Sequence, residues 1–193
     1  MLLSGNRIRH EIKAGNIVIQ GKKPHINPNS VNLTLHNELL AYDLHVLDMA
    51  KAEEAHKIII PKEGLMLNPN TLYLGRTNEY TETHGFVPMI EGRSSIGRLG
   101  MFIHVTAGFG DVGFCGYWTL EIFVVQPLII YPNVEVCQIY YHDIDDNYET
   151  YKSGKYQHNE GIQTSKLWQE LKGEHNYEYG KKDETSGTGI LKK

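Results

Sequence analysis

The residues with the clearest chemical potential lie between positions 91 and 122 of the 193-residue chain. That stretch opens with Gly92-Arg93-Ser94-Ser95 and continues to Arg98. If Ser94 begins a short helix, Ser94 and Arg98 lie one turn apart on the same face. The free amides of the first turn, the two hydroxyls and the two guanidinium groups would then converge on an anion. A serine-capped surface helix with solvated arginines is the alternative that this segment leaves open.

Glu121 is the second candidate because it interrupts an otherwise apolar strand. An alternation with period two places Trp118, Leu120, Ile122 and Val124 on one apolar face and turns Glu121 to the other face. A carboxylate in a buried strand is costly unless it is paired, and burial favours its neutral form. Those conditions suit a general base tuned toward neutral pH. A structural ion pair or an edge-strand glutamate explains the same pattern.

Asp111 is the third candidate, since it stands among Gly108, Gly110 and Gly113. Glycines at this density indicate a backbone that approaches a ligand closely or adopts positive φ. A plain turn remains the alternative for this segment taken alone.

Catalytic zinc is not indicated by the sequence. The zinc-dependent nucleobase deaminases carry H-x-E followed by P-C-x-x-C, and no P-C-x-x-C occurs here. The ten histidines form no H-x-H or H-x-x-x-H pair, so we expect no metal site borne by one helix or one strand. His104 is accordingly expected to be a hydrogen-bonding residue and not a metal ligand.

Composition restricts the class of protein. With 40% hydrophobic and 22% charged residues, the chain is typical of a soluble globular domain, and no apolar run is long enough to span a membrane. The formal charge of −4 argues against general nucleic-acid binding. The N-terminus lacks an apolar signal core, so we expect a cytoplasmic protein. Cys115 and Cys137 are expected to be small core hydrophobes without a disulfide.

The elements that must position these candidates are mostly short strands. Ser4 is expected to cap a helix that runs to about Ala14 and stops at Gly15. Residues 41–56 are compatible with a loop or a short helix. Frequent turns between β-prone segments predict an all-β barrel or sandwich with minor helices. This fold is expected to form one domain, residues 1–171. A polar, lightly packed tail, residues 172–193, is expected to follow it. The predicted strands are 17–19, 31–35, 57–60, 71–75, 101–106, 117–125, 128–131 and 134–141.

Taken together, these segments resemble the dCTP deaminase family, a branch of the dUTPase-like fold, from the N-terminus to about Lys166. The strongest match is the ordered block from Glu91 to Gly100, continued by His104-Val105-Thr106-Ala107 and Thr119-Leu120-Glu121. The resemblance implies a mainly β, distorted β-barrel of the β-clip type that assembles as a homotrimer with active sites between subunits. It implies dCTP and dUTP as ligands, with Mg²⁺ brought by the triphosphate and no zinc.

The resemblance also implies roles for individual residues. Glu121 matches the catalytic glutamate. The residues that match contacts to the triphosphate are Arg93, Ser94, Ser95, Arg98 and Gln138. Those that match the lining of the base and its water are His104, Thr106 and the Ala107 carbonyl. Those that match the C-terminal segment closing over the nucleotide are Tyr151, Lys155 and Asn159.

Asp111 bears on the choice between two branches of the family. The segment from Gly108 to Gly116 resembles the dUTPase stretch whose aspartate lies under the deoxyribose and activates water. Deaminase-only members commonly carry His-Arg after the alanine that matches Ala107, whereas this chain has Gly108-Phe109. That difference favours the bifunctional branch, which forms dUMP. A dUTPase that has lost deamination and a catalytically silent nucleotide-binding trimer are the rival functions.

Some positions depart from the family pattern. Asn32 and Thr34 replace a usual aspartate and arginine, which puts the N-terminal contacts in doubt. Asn133 stands at a usual turn glycine, where asparagine tolerates the left-handed conformation. Asn159 replaces a glutamine that helps to close over the nucleotide, so we expect weaker nucleotide retention.

Overall fold

The computed structural model describes residues 1–152 and 154–174, which fold mainly into antiparallel strands. Three helices are present in this part of the chain, α1 (Gly5–Ala14), α2 (Ser94–Gly97) and α3 (Leu167–Glu174). The strands are β1 (Ile17–Gln20), β2 (His25–Ile26), β3 (Val31–Thr34), β4 (Glu38–Tyr42), β5 (Ala55–Ile59), β6 (Leu65–Leu67), β7 (Tyr73–Thr83), β8 (Phe86–Gly92), β9 (Met101–Ile103), β10 (Cys115–Val124), β11 (Leu128–Ile130) and β12 (Glu135–Asp143).

Helix α1 begins and ends where its capping residues predict. The Ser4 hydroxyl accepts a hydrogen bond from the Arg7 amide at 3.3 Å, which satisfies one of the free donors of the first turn. Gly15 ends the helix in the left-handed conformation, with φ of 83°. Ile8 is fully buried and anchors the helix to the core.

Two sheets and one ribbon enclose the core. A six-stranded sheet has the order β5-β4-β7-β10-β9 with β1 added to β7, and a four-stranded sheet has the order β2-β3-β12-β8. Strands β6 and β11 form a separate two-stranded ribbon. Every pairing is antiparallel. The predicted mainly β class is confirmed, and β10 lies in the six-stranded sheet between β7 and β9.

Strand β7 is much longer than the predicted 71–75. The prediction fell short because the buried face of the strand is largely polar. Thr77, Glu79, Thr81 and Thr83 are all buried, so apolar periodicity does not reveal the strand. The Glu79 carboxylate accepts hydrogen bonds from the backbone amide and the hydroxyl of Thr34, at 2.8 and 2.7 Å. These bonds satisfy a carboxylate that would otherwise be costly to bury.

Strand β8 is absent from the sequence prediction, although it forms an edge of the four-stranded sheet. Pro88 lowers the expectation of a strand, yet an edge strand tolerates proline because one side of its backbone needs no partner. Residues 41–56 form no helix: β4 ends at Tyr42 and β5 begins at Ala55, with turns and bends between them.

Cys115 and Cys137 are buried and free, which confirms their prediction as core residues without a disulfide. Burial raises the pKa of both thiols, and Cys137 is fully enclosed. Of the tail predicted from Lys172, residues 172–174 belong to α3, and residues 175–193 lie outside the described part of the chain. None of the helices formed by the described residues has the length and apolar character to cross a membrane.

Candidate active site

A pocket of about 480 Å³ lies against β10, with walls from the 104–111 loop and the C-terminal segment. Its lining brings together predicted site residues from three separate segments of the chain: the 104–111 loop, β10 and the C-terminal segment. Those that line it are His104, Ala107, Asp111, Glu121, Tyr151 and Asn159. The two candidate catalytic carboxylates therefore share one cavity.

The alternation of β10 presents Glu121 to this pocket. Leu120, Ile122 and Val124 are fully buried on the opposite face, as the period-two pattern predicts, whereas Trp118 lies at a bulge of β10 and reaches the pocket lining. Glu121 is less enclosed than a fully buried strand would make it, since 36% of its side chain is exposed in the single chain. One carboxylate oxygen, Oε2, is nevertheless buried, so half of the carboxylate faces the protein and half faces open space.

His104 is the closest polar partner of that buried oxygen. Its Nδ1 lies 3.1 Å from Glu121 Oε2, although the two atoms are not aligned as a regular hydrogen bond. The His104 backbone amide donates to the Glu121 carbonyl at 2.9 Å. His104 adopts a left-handed conformation, with φ of 58°, which ends β9 short of the predicted residue 106 and turns the imidazole inward. A non-glycine residue in this region often indicates a functional constraint.

The loop that carries Asp111 is held against the edge strand β8. The Gly108 carbonyl accepts from the Ile90 amide at 2.7 Å, and the Gly110 amide donates to the Pro88 carbonyl at 2.9 Å. A Cβ added at Gly110 would lie 2.5 Å from a ring carbon of Trp118. Close packing therefore requires glycine at position 110. With the loop held in this way, Asp111 is exposed at the pocket wall.

Aromatic rings form much of the remaining lining, and most of them were not predicted. Phe114, Tyr117, Trp118 and Tyr156 all contribute. The Trp118 indole Nε1 donates to the buried Thr81 hydroxyl at 2.9 Å, which fixes the ring. Tyr117 could have been found from its position on the Glu121 side of β10. Flat apolar walls of this kind suit the stacking of a planar heterocyclic base.

The C-terminal segment, residues 154–165, docks over the pocket through hydrogen bonds donated by its backbone amides. The Gln163 amide donates to the Thr119 hydroxyl at 3.1 Å, and the Ser165 amide donates to the Tyr42 hydroxyl at 3.2 Å. Asn159 lines the pocket, and its side-chain oxygen is buried against Gly116 with no hydrogen-bond partner among the described residues. No short-range sequence signal links Tyr42 or Gln163 to this site, because only the tertiary fold brings them to β10.

The residues expected to bind the triphosphate lie elsewhere on the same chain. Ser94 and Ser95 open the one-turn helix α2 and are exposed, as is Arg98. Arg93 occupies the N-cap position of α2 without a side-chain capping bond, so the serine cap of the alternative interpretation is wrong, whereas its surface position agrees with the structure. None of these residues lines the pocket that contains Glu121.

Arg93 and Gln138 make contacts within the four-stranded sheet. Arg93 donates to the Glu135 carbonyl at 2.9 Å and pairs with its carboxylate at 3.1 Å. Gln138 accepts from the Ser30 hydroxyl at 3.1 Å. The Asn32 amide, at a position that departs from the family pattern, donates to the same Glu135 carboxylate at 2.7 Å.

Two further predicted residues lie beside the pocket and do not line it. Thr106 borders an adjoining surface hollow that also reaches Glu121. The Lys155 ammonium hydrogen-bonds the Glu170 carboxylate on α3, and this bond raises the pKa of Lys155. The single chain thus brings together the two candidate acids and a set of aromatic rings, and leaves the residues predicted to bind the triphosphate on a separate surface.

Comparison with known proteins identifies the class. A family model described as dCTP deaminase-like matches residues 2–144, and the chain belongs to this family. It is 60% identical over 171 residues to a protein of Cytophaga hutchinsonii named "dCTP deaminase, dUMP-forming", covering 89% of this chain and 99% of that protein. A protein of Clostridium acetobutylicum with the same name is 62% identical over the same shares of the two chains.

A solved structure supports the fold. It is that of 2'-deoxycytidine 5'-triphosphate deaminase from Agrobacterium tumefaciens, which matches with a TM-score of 0.58 at 16% identity. The match covers 73% of this chain and 48% of the other, so it concerns the common fold alone.

Proposed function

We propose that this protein converts dCTP to dUMP, first by deamination to dUTP and ammonia and then by cleavage to dUMP and diphosphate. The observation that carries the proposal is the pair of carboxylates, Glu121 and Asp111, lining one aromatic pocket of about 480 Å³. The names of the relatives at about 60% identity, which describe dUMP-forming dCTP deaminases, agree with it.

In the deamination step Glu121 acts as the general base. It removes a proton from a water molecule held near the Ala107 carbonyl and a Ser94 that a neighbouring chain supplies, and the resulting hydroxide adds to C4 of cytosine. Glu121 passes this proton to N3 of the ring and then moves the proton of the new hydroxyl to the amino group, so that the C4–N bond breaks, C4=O forms and ammonia leaves. His104, 3.1 Å from the carboxylate, positions it, because the imidazole and the Glu121 backbone are fixed to the same turn.

In the second step Asp111 polarises a water molecule that attacks the α-phosphate. The oxygen that bridges the α- and β-phosphates leaves with diphosphate, and the water oxygen remains on dUMP. Gly108 packs against β8 with no room for a side chain, since an added Cβ would lie 2.2 Å from the Ile90 carbonyl oxygen, and the exposed Phe109 lines the pocket beside Asp111 in place of a long cationic side chain. Both steps use groups that line one cavity, so the dUTP intermediate need not leave.

Mg²⁺ enters with the nucleotide triphosphate as part of the substrate. Within residues 1–152 and 154–174, no group of three His, Cys, Asp or Glu ligands lies in the pocket, so the phosphates themselves would supply most of the coordination. The ion neutralises phosphate charge and makes diphosphate a better leaving group. A free deoxynucleoside triphosphate is an intracellular metabolite, so we place the reaction in the cytoplasm.

A homotrimer would complete this site. Ser94, Arg93 and Arg98 do not line the pocket of their own chain, whereas a neighbouring chain could present them to it. An apolar hollow next to Glu121 supports such an interface, because Leu72, Phe102, Val105 and Phe123 are all 40% exposed or more. Exposed apolar surface of this kind is typical of a protein contact.

Incubation with dCTP and Mg²⁺ tests the function. Ammonia release together with dUMP and diphosphate, and little free dUTP, is the expected result. Quantitative accumulation of dUTP would leave a plain deaminase. Hydrolysis of dUTP without ammonia from dCTP would identify a dUTPase, and turnover of neither nucleotide would identify the silent binding protein.

Mixed assemblies test the shared site. Light scattering should give about three times the chain mass of 22.0 kDa. Ser94→Ala and Glu121→Gln should each be inactive alone. Co-expressed in equal amounts, they should restore about a quarter of the sites, because some interfaces pair an intact Ser94 with an intact Glu121. An active monomer, or a mixture with no regained activity, would refute a site shared between chains.

A further inference from the structure

A cluster of three metal-ligating side chains lies outside the pocket, at the far end of β7. The carboxylate of Glu82, the imidazole of His84 and the thiol of Cys115 each offer one ligand atom, and these atoms all lie within 4.8 Å of one another. None of the three residues lines the pocket that contains Glu121. The proposed reaction gives none of them a role.

The strand register creates this cluster. Cys115, at the start of β10, is the direct cross-strand partner of Glu82 on β7. Side chains two residues apart in an extended chain point to the same side, which places His84 next to Glu82. Nε2 of His84 lies 3.2 Å from Oε2 of Glu82. The ligands are 33 positions apart in sequence, which explains why a search for short histidine motifs does not find them.

We propose that Glu82, His84 and Cys115 bind one Zn²⁺ ion as a site separate from the nucleotide pocket. A thiolate, an imidazole and a carboxylate form a ligand set that zinc favours, with water in the fourth position. Tetrahedral zinc with bonds of about 2.0–2.3 Å holds its ligand atoms about 3.3–3.8 Å apart. Closing the cluster to that spacing requires a shift of about 1 Å, which side-chain rotation can supply.

Exposure and charge suit the entry of a cation. The His84 side chain is 48% exposed and that of Glu82 is 29% exposed, whereas the Cys115 sulfur is enclosed behind them. That sulfur makes only a weak contact with the Gly113 carbonyl, at 3.5 Å. Burial and the nearby Glu82 charge raise the pKa of Cys115, so metal binding would release the thiol proton to solvent as the zinc–sulfur bond forms.

The position of Cys115 gives such an ion a structural effect. The Cys115 amide donates to Gln157 Oε1 at 3.0 Å, and its carbonyl accepts from the His158 amide at 2.8 Å. The next residue, Asn159, lines the nucleotide pocket. A zinc ion bound to Cys115 would therefore stabilise the beginning of β10, to which the C-terminal segment is hydrogen-bonded.

Cobalt substitution tests the site without reference to activity. Full-length protein, free of any affinity tag and stripped by a chelator, is titrated with Co²⁺ in the absence of nucleotide. We expect a thiolate-to-cobalt charge-transfer absorption that saturates at one equivalent per chain and disappears when Zn²⁺ is added. Absence of this absorption at saturating Co²⁺ would overturn the proposal.

Paired variants assign the ligands. His84→Gln changes an exposed side chain and should weaken Co²⁺ binding by about 10- to 100-fold or more, since even outer-shell changes reach that range. Its control, His56→Gln, should leave binding unchanged. Cys115→Ala should remove the charge-transfer absorption, and Cys137→Ala should retain it. If Cys115→Ala fails to fold, His84→Gln decides, and an unchanged affinity in that variant would place the metal elsewhere.

Discussion

Replacing Glu121 by glutamine removes the proposed general base while preserving the shape of its side chain. Loss of a general base lowers turnover by about 10²–10⁴-fold, or about 2.7–5.4 kcal/mol of transition-state stabilisation. The expected effect on folding is much smaller. Glu121 is 36% exposed and its carboxylate lies 3.1 Å from the His104 imidazole, so the pair contributes at most about 1 kcal/mol to stability.

The assay follows ammonia release from dCTP at saturating nucleotide, together with thermal unfolding of the same preparation. Glu121→Gln should lose deamination with a nearly unchanged melting temperature and nucleotide affinity. Glu63→Gln, in an exposed turn, is the matched control and should behave as the parent protein. Near-parental ammonia release by Glu121→Gln would remove Glu121 from the mechanism. If Glu121→Gln lost activity because it unfolded, the role of Glu121 would be structural, which would contradict its assignment as the general base.

Three further substitutions test the surroundings of this group. Asp111→Asn should shift the product of dCTP turnover from dUMP toward dUTP, as resolved by chromatography; an unchanged dUMP yield would exclude Asp111 from the second step. Gly110→Ala should impair turnover by at least about tenfold, because the new Cβ would lie 2.5 Å from Trp118 and displace the Asp111 loop; full activity would show that the loop tolerates the shift. Thr81→Val leaves the buried Trp118 indole donor without its partner and should lower the free energy of unfolding by about 1–3 kcal/mol in a denaturant titration; no loss would mean that the ring finds another acceptor.

The catalytic candidates could be read from the sequence because their signals are local. A strand with alternation of period two determines which side Glu121 faces, and the structure confirms this at Leu120 and Ile122. A dense group of glycines around Asp111 requires close packing wherever the loop lies, and Gly110 does approach Trp118. Helix α1 was equally predictable, since Ser4 and Gly15 act on the adjacent turns.

Strands with polar buried faces could not be read in the same way. Thr77, Glu79 and Thr81 are buried in β7, but their partners come from residues far away in sequence, such as Thr34 and Trp118. Whether a polar residue can be buried depends on a hydrogen-bond partner that only the tertiary structure provides. The length of β7 therefore required the structure.

The sequence by itself determined the family and the mainly β class and indicated the two candidate acids, because these depend on residue order and on alternation within single segments. Only the tertiary structure decided which residues share a cavity. It brought Tyr42 and Gln163 to the pocket, left Ser94 and Arg98 on another surface, and set Glu82, His84 and Cys115 side by side. The physical reason is that strand register and loop docking join segments distant in sequence, and such contacts leave no periodic signal along the chain.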